Sequence, residues 1–119
     1  MNIYHENILE HYKNPNNSGN LTNFNIKCHA HNPSCGDELE IKLELEKNKI
    51  KDAKFQAKGC AISIASTDIL LDHIKNKSLN EIKRLNDKNL LKLLEVEINP
   101  ARMNCALLAL NALRKIKWA

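Results

Sequence analysis

The chain has 119 residues, a formal net charge of +4, 43% hydrophobic and 27% charged residues. That length suits a single domain, 1–119, with one modest core, and the composition is that of an ordinary globular protein rather than a disordered or fibrous one. No run of about 18 apolar residues occurs, so a helical membrane span is not expected. The start Met1-Asn2-Ile3-Tyr4-His5-Glu6 has no basic segment followed by an apolar one, so it does not read as a secretory signal and the expected location is cytoplasmic.

Four cysteines in a cytosolic chain point to thiols or metal ligands before disulfides. Charge is uneven. Residues 1–46 carry seven acids and three bases, whereas residues 47–119 carry seven acids and fifteen bases. Such asymmetry can steer an acidic protein partner. The bases are scattered and only five aromatics occur, so a nucleic-acid surface with stacking side chains is not expected.

In chain order, Tyr4 to Lys13 predicts a short helix with Tyr4, Ile8 and Tyr12 along one stripe. Asn14-Pro15 ends it, because the residue before proline avoids the helical region. Phe24, Ile26, Cys28 and Ala30 alternate with polar residues and predict a half-buried strand. Leu39, Ile41, Leu43 and Leu45 give the cleanest two-residue period in the chain. Lys47-Asn48-Lys49 can reverse the direction. Ala53, Phe55 and Ala57 follow, while Ile50 has the opposite parity and belongs to a turn or bulge.

From Gly59 the period lengthens. Ile62, Ala65, Ile69 and Ile74 mark a helix to about Lys75. Ser78-Leu79-Asn80-Glu81 is a capping-box pattern. Asp87 is read as the cap of a helix through Leu90, Leu91 and Leu94. Asn99-Pro100 starts a last helix carrying Leu107, Leu110, Leu113 and Ile116. Grouped strands followed by grouped helices predict an α+β domain: a three-stranded antiparallel sheet with helices packed on one face.

Three cysteines stand in turn-like or element-end settings: Pro33-Ser34-Cys35-Gly36-Asp37, Gly59-Cys60-Ala61 and Arg102-Met103-Asn104-Cys105. Gly36 lets the backbone bend beside Cys35, and Asp37 follows two residues later. Cys60 begins a helix, where negative charge, and hence thiolate, is favoured. Three thiols and a carboxylate are a tetrahedral zinc donor set. Spacing alone leaves two readings open, separate packed thiols or one shared site, because no C-x-x-C pair occurs.

These segments, extended to Gly59-Cys60-Ala61-Ile62-Ser63-Ile64-Ala65-Ser66 and Pro100-Ala101-Arg102-Met103-Asn104-Cys105, resemble the iron–sulfur cluster assembly scaffold family (the NifU N-terminal domain, IscU and SufU). Ile8-Leu9-Glu10-His11-Tyr12-Lys13-Asn14-Pro15 is similar to that family's opening helix, and the resemblance runs in order along nearly the whole chain. It implies the family's fold, with Cys35, Cys60 and Cys105 holding a transient [2Fe–2S] cluster or Zn2+ and Asp37 nearby or ligating. It implies sulfur received as persulfide from a cysteine desulfurase, with these three cysteines as candidate acceptors. The product would be a cluster passed to apo iron–sulfur acceptor proteins. The alternative it implies is a zinc-bound, SufU-like sulfurtransferase. No nucleic acid or membrane is expected as partner, and the expected assembly is a monomer or weak dimer.

The subtype signatures are mixed. The IscU group has His directly before its last cysteine, where this chain has Asn104, and a Leu-Pro-Pro-Val-Lys motif where it has Val96-Glu97-Ile98-Asn99-Pro100. Pro100-Ala101-Arg102-x-x-Cys105 looks more like SufU, yet the 44 residues between Cys60 and Cys105 match the scaffold type.

Other residues have plainer readings. Cys28 is expected as a packed core thiol. His29 and His31, at two-residue spacing, could bind metal, but no family motif supports this and they read as a solvent-facing loop pair; His73 reads as partly buried packing. Arg102 is either a partner of Asp37 or a surface arginine. Lys47, Lys49, Lys51 and Lys54 read as a solvated hairpin.

Overall fold

The computed structural model describes residues 3–33 and 36–116, and the side chains from residue 6 onward. Cys35, a predicted site residue, lies outside the described residues, as do Lys117, Trp118 and the side chain of Tyr4. Helix α1 (Ile3–Lys13) comes first, then strands β1 (Ile26–Asn32), β2 (Asp37–Glu46) and β3 (Lys49–Lys58). Helices α2 (Ala61–Ile74), α3 (Leu79–Lys83) and α4 (Asp87–Leu94) follow. A 3-10 turn, Pro100–Arg102, leads into α5 (Met103–Arg114).

The strands form an antiparallel meander in the order β1-β2-β3. Lys47 and Asn48 both take positive φ, 52° and 67°, which is the two-residue turn whose twist matches a hairpin. The register slips between Glu44 and Leu45, so Ile50 pairs with Leu45 while Asp52 pairs with Glu44. That bulge restores Ile50 to the inner face, where it is fully buried. The inner face carries Cys28, Ala30, Leu39, Ile41, Leu43, Ala53 and Phe55, and α5 and α2 cover it. The architecture is the expected α+β one.

The free edge of β3 is occupied by other backbone, which blunts edge pairing. The amide of Gly19 donates to the carbonyl of Phe55 at 2.9 Å, and the amide of Phe55 to the carbonyl of Asn17 at 2.8 Å. Further along, the amide of Ile50 donates to Lys77 and that of Asn76 to Ile50.

Helix α2 is the central pillar, packed against α1, α5 and β3. Its buried Asp68 draws the N-terminal segment onto it. The Asp68 carboxylate accepts from the amides of Asn16 (3.1 Å) and Asn17 (2.8 Å) and from the Asn17 side chain (2.9 Å), and lies 2.6 Å from His11 Nδ1. Lys75 Nζ donates to the Asn17 side-chain oxygen.

Four local expectations are corrected. Phe24 is 41% exposed and precedes β1, because the Asn25 side chain takes the Leu45 amide (2.6 Å) and ends the ladder there. Tyr12 is 42% exposed, because α1 docks through Ile8 and His11 instead. The cap of α4 is Asn86, which exchanges reciprocal bonds with Asn89, and Asp87 is the first helical residue. His29 and His31 lie within β1 rather than in a loop. The capping box of Ser78 and Glu81 on α3 is present as read.

Candidate metal centre

Asp37 opens β2, Cys60 caps the N-terminus of α2, and Cys105 lies in the first turn of α5. Three separated stretches of chain thus meet at one end of the sheet. One ligand atom from each of Asp37, Cys60 and Cys105 lies within 4.8 Å of the others. Cys35 immediately precedes Gly36, whose φ is 70° and whose amide donates to the Asn32 carbonyl at 2.9 Å. Glycine suits that left-handed turn, because the Cβ of another residue would crowd its own backbone there.

Asp37 is 1% exposed. Its Oδ1 accepts the Cys60 amide at 3.0 Å, which ties the carboxylate to the N-terminus of α2. Its Oδ2 is buried with no hydrogen-bond partner among the described residues. A buried carboxylate oxygen left unpaired is costly, and a cation is the natural occupant of that lone pair. With two sulfurs beside it, the donor set is soft thiolate plus one hard oxygen, which fits Zn2+ or iron held by thiolates.

Cys60 is half-buried and Cys105 is 1% exposed. Two further residues shape the pocket: Asn32, which sequence reasoning passed over, and Gly59, which it read only as the residue before Cys60. Asn32 continues the inward parity of Cys28 and Ala30, and its side-chain amide donates toward Cys105 Sγ at 3.9 Å. Its parity was the available signal. Gly59 is the second, because a Cβ there would stand 2.5 Å from Asp37 Oδ1. Arg102 is exposed in the 3-10 turn one helical step before Cys105.

Cys28 stands apart on the inner face of β1. Burial pushes its thiol up to about 12, opposed in part by Lys115. Such a thiol stays protonated and inert. His73 is partly buried, and burial with the Lys77 charge lowers its pKa below the ordinary histidine value. No described helix is long and apolar enough to cross a membrane.

Residues 3–117 match the family model described as the NifU-like N-terminal domain. The chain is 34% identical over 116 residues to the iron–sulfur cluster assembly enzyme IscU of Drosophila melanogaster, covering 94% of this chain and 74% of that protein. It is 35% identical over 130 residues to the zinc-dependent sulfurtransferase SufU of Bacillus subtilis, covering 95% and 88%. It is 31% identical over 115 residues to the iron–sulfur cluster assembly scaffold protein IscU of Haemophilus influenzae, covering 93% and 90%. Among solved structures, a candidate cluster assembly scaffold protein for the SUF system from Fervidobacterium islandicum superposes with a TM-score of 0.77 at 27% identity, over 91% of each chain. The N-terminal part of a NifU-like protein from Brucella abortus shares the fold, with a TM-score of 0.76 at 21% identity over 94% and 90%. The chain belongs to the NifU-like N-terminal domain family of iron–sulfur cluster assembly scaffolds.

Proposed function

We propose that this chain, as one domain over 1–119, assembles a transient [2Fe–2S] cluster on Cys35, Cys60 and Cys105, with Asp37 as the fourth donor, and passes it to apo-proteins in the cytoplasm. The observation that carries this reading is the meeting of Asp37, Cys60 and Cys105 within 4.8 Å, with one Asp37 oxygen unpaired. Sulfur arrives from a cysteine desulfurase. A site thiolate attacks the terminal sulfur of the desulfurase persulfide, the S–S bond breaks, and the desulfurase thiolate leaves. Each transferred sulfane sulfur then takes two electrons from an external reductant to become sulfide. The cluster is cargo, and a carboxylate among thiolates is the harder and weaker iron ligand, which suits release.

A second reading rests on the same donors and on the likeness to the zinc-dependent sulfurtransferase SufU. Here Zn2+ occupies the site, and a site thiolate relays the sulfur without building a cluster. One preparation separates the two. Under anaerobic conditions, ferrous iron, cysteine, a desulfurase and a dithiol reductant should give a visible [2Fe–2S] chromophore, lost in Cys60→Ser and in Cys105→Ser. A chain that carries one zinc, stimulates the desulfurase and forms no chromophore supports the relay. A chain that does neither overturns both readings.

A further inference from the structure

The outer face of the sheet, opposite the helices, carries two histidines that the thiol pocket does not use. His29 and His31 alternate with buried Cys28, Ala30 and Asn32, so both rings leave the same side of β1. Antiparallel pairing sets His29 directly opposite Glu40 and His31 directly opposite Glu38. Directly opposed side chains start about 5 Å apart at Cβ, and residues two apart on one strand about 7 Å apart. The four side chains line one open cavity of about 650 Å3. His29 Nε2 is 3.6 Å from Glu40 Oε2, and the His29 side chain is 62% exposed, so it is free to turn.

The geometry points to a second metal site here, with His29, His31, Glu38 and Glu40 holding one first-row divalent ion of the Zn2+ or Fe2+ class. Two imidazoles and two carboxylates form a borderline donor set, distinct from the thiolate set of the first site. As the side chains stand, the donors do not converge on one point, and binding closes the square by rotation of exposed side chains. The nearby cations leave room for this. Lys42 Nζ lies 3.8 Å from Glu40 but also donates to Asn20 at 2.7 Å, so it keeps a partner when Glu40 turns to an ion. Lys58 pairs in register with Glu38, and Lys115 stands at the cavity wall. These make the site moderate in affinity. The two centres sit on opposite sides of one strand end, since outward His31 is followed by Asn32, which contacts Cys105.

The test is metal stoichiometry and spectrum on the untagged full chain. Equilibrium dialysis against Zn2+ should give two ions per chain, and one in His29→Ala/His31→Ala. With Co2+, the ion lost in that double variant should carry no sulfur-to-metal charge-transfer band, and the ion retained should carry it. Loss of an outer-shell partner alone commonly weakens metal binding about 10–100-fold, so removing one direct ligand should cost at least about tenfold. Should the double variant fail to fold by circular dichroism, Glu40→Gln on the sheet surface gives the same reading. A tenfold or greater weakening of the second ion supports the site. A natural chain that binds one ion only, or variants that bind the second ion unchanged, overturns it.

Discussion

Gly59 and Asp37 approach so closely that residue 59 has no room for a side chain. A Cβ there would lie 2.5 Å from Asp37 Oδ1, 3.0 Å from its Cγ and 3.2 Å from its Cβ. The neighbouring amide, that of Cys60, holds the same oxygen at 3.0 Å. The strand-to-helix junction therefore orients the carboxylate, and its bareness at Gly59 is what permits the contact. Gly59→Ala should push Asp37 out of place. The expected stability cost is about 1–3 kcal/mol, as for other overpacked sites. Zinc affinity should fall as well, measured by chelator competition beside urea unfolding. An unchanged affinity would mean that the orientation of Asp37 is unimportant to the site.

Metal removal should leave the fold intact. The core built on Ile41, Leu43, Leu70, Leu71, Leu94 and Leu110 is fully buried, and of the three site donors only Cys105 belongs to the buried apolar interior. A structural zinc contributes on the order of 10–16 kcal/mol, enough to unfold a small domain when withdrawn. A ligand bound for chemistry adds only about 2.7 kcal/mol at a concentration of 100 times Kd. The chelated protein should keep its helical circular dichroism and a cooperative urea transition at lower midpoint. Unfolding on chelation would instead make the ion a structural staple.

The sheet was legible because alternation is a local signal. Leu39 to Leu43 face in and their neighbours face out, and even the odd parity of Ile50 marked the bulge. Helix starts were legible where the cap is self-contained, as at Ser78 and Glu81. Asn86 was missed because two adjacent residues can both cap, and only Asn86 has a partner three residues on, Asn89, that can return the bond. Phe24 and Tyr12 failed for a different reason. Their exposure depends on Asn25 reaching the Leu45 amide and on His11 reaching Asp68, contacts to residues far along the chain. The candidate site was legible in its residue types, since Gly beside Cys and a carboxylate two residues on are local signs. Its closure was not, because Asp37, Cys60 and Cys105 meet only after the sheet and helices pack.

Asp68 should prove a main stability determinant away from the thiols. It is fully buried and ties α1 and the following loop to α2 through Asn16, Asn17 and His11. Removing the carboxylate leaves buried donors without an acceptor, each costing about 1–3 kcal/mol. Asp68→Ala should lower unfolding stability by about 3–5 kcal/mol, the range for breaking a buried charged network. Urea unfolding followed at α1 by hydrogen exchange would check this, with early loss of protection in residues 6–13. A loss below about 1 kcal/mol would show that the network is replaceable by water.

Cys28 should behave as the opposite of Cys60 toward a thiol reagent. Burial raises its pKa to about 12, with Lys115 opposing. At pH 8 that leaves about one thiolate in ten thousand, and the thiolate is the reactive form. Iodoacetamide at pH 8 should label Cys60 on the native chain and reach Cys28 only in urea, as read by peptide mass. The same shift carries a stability consequence. The unfolded thiol ionises near pH 8.5, well below the folded one. Stability from burying the neutral thiol is therefore complete below that pH, and it is lost as pH rises toward about 12. Cys28→Ala should flatten the alkaline decline in unfolding free energy between about pH 9 and pH 11 relative to the natural chain. Equal slopes in the two proteins would show that some other group governs alkaline unfolding.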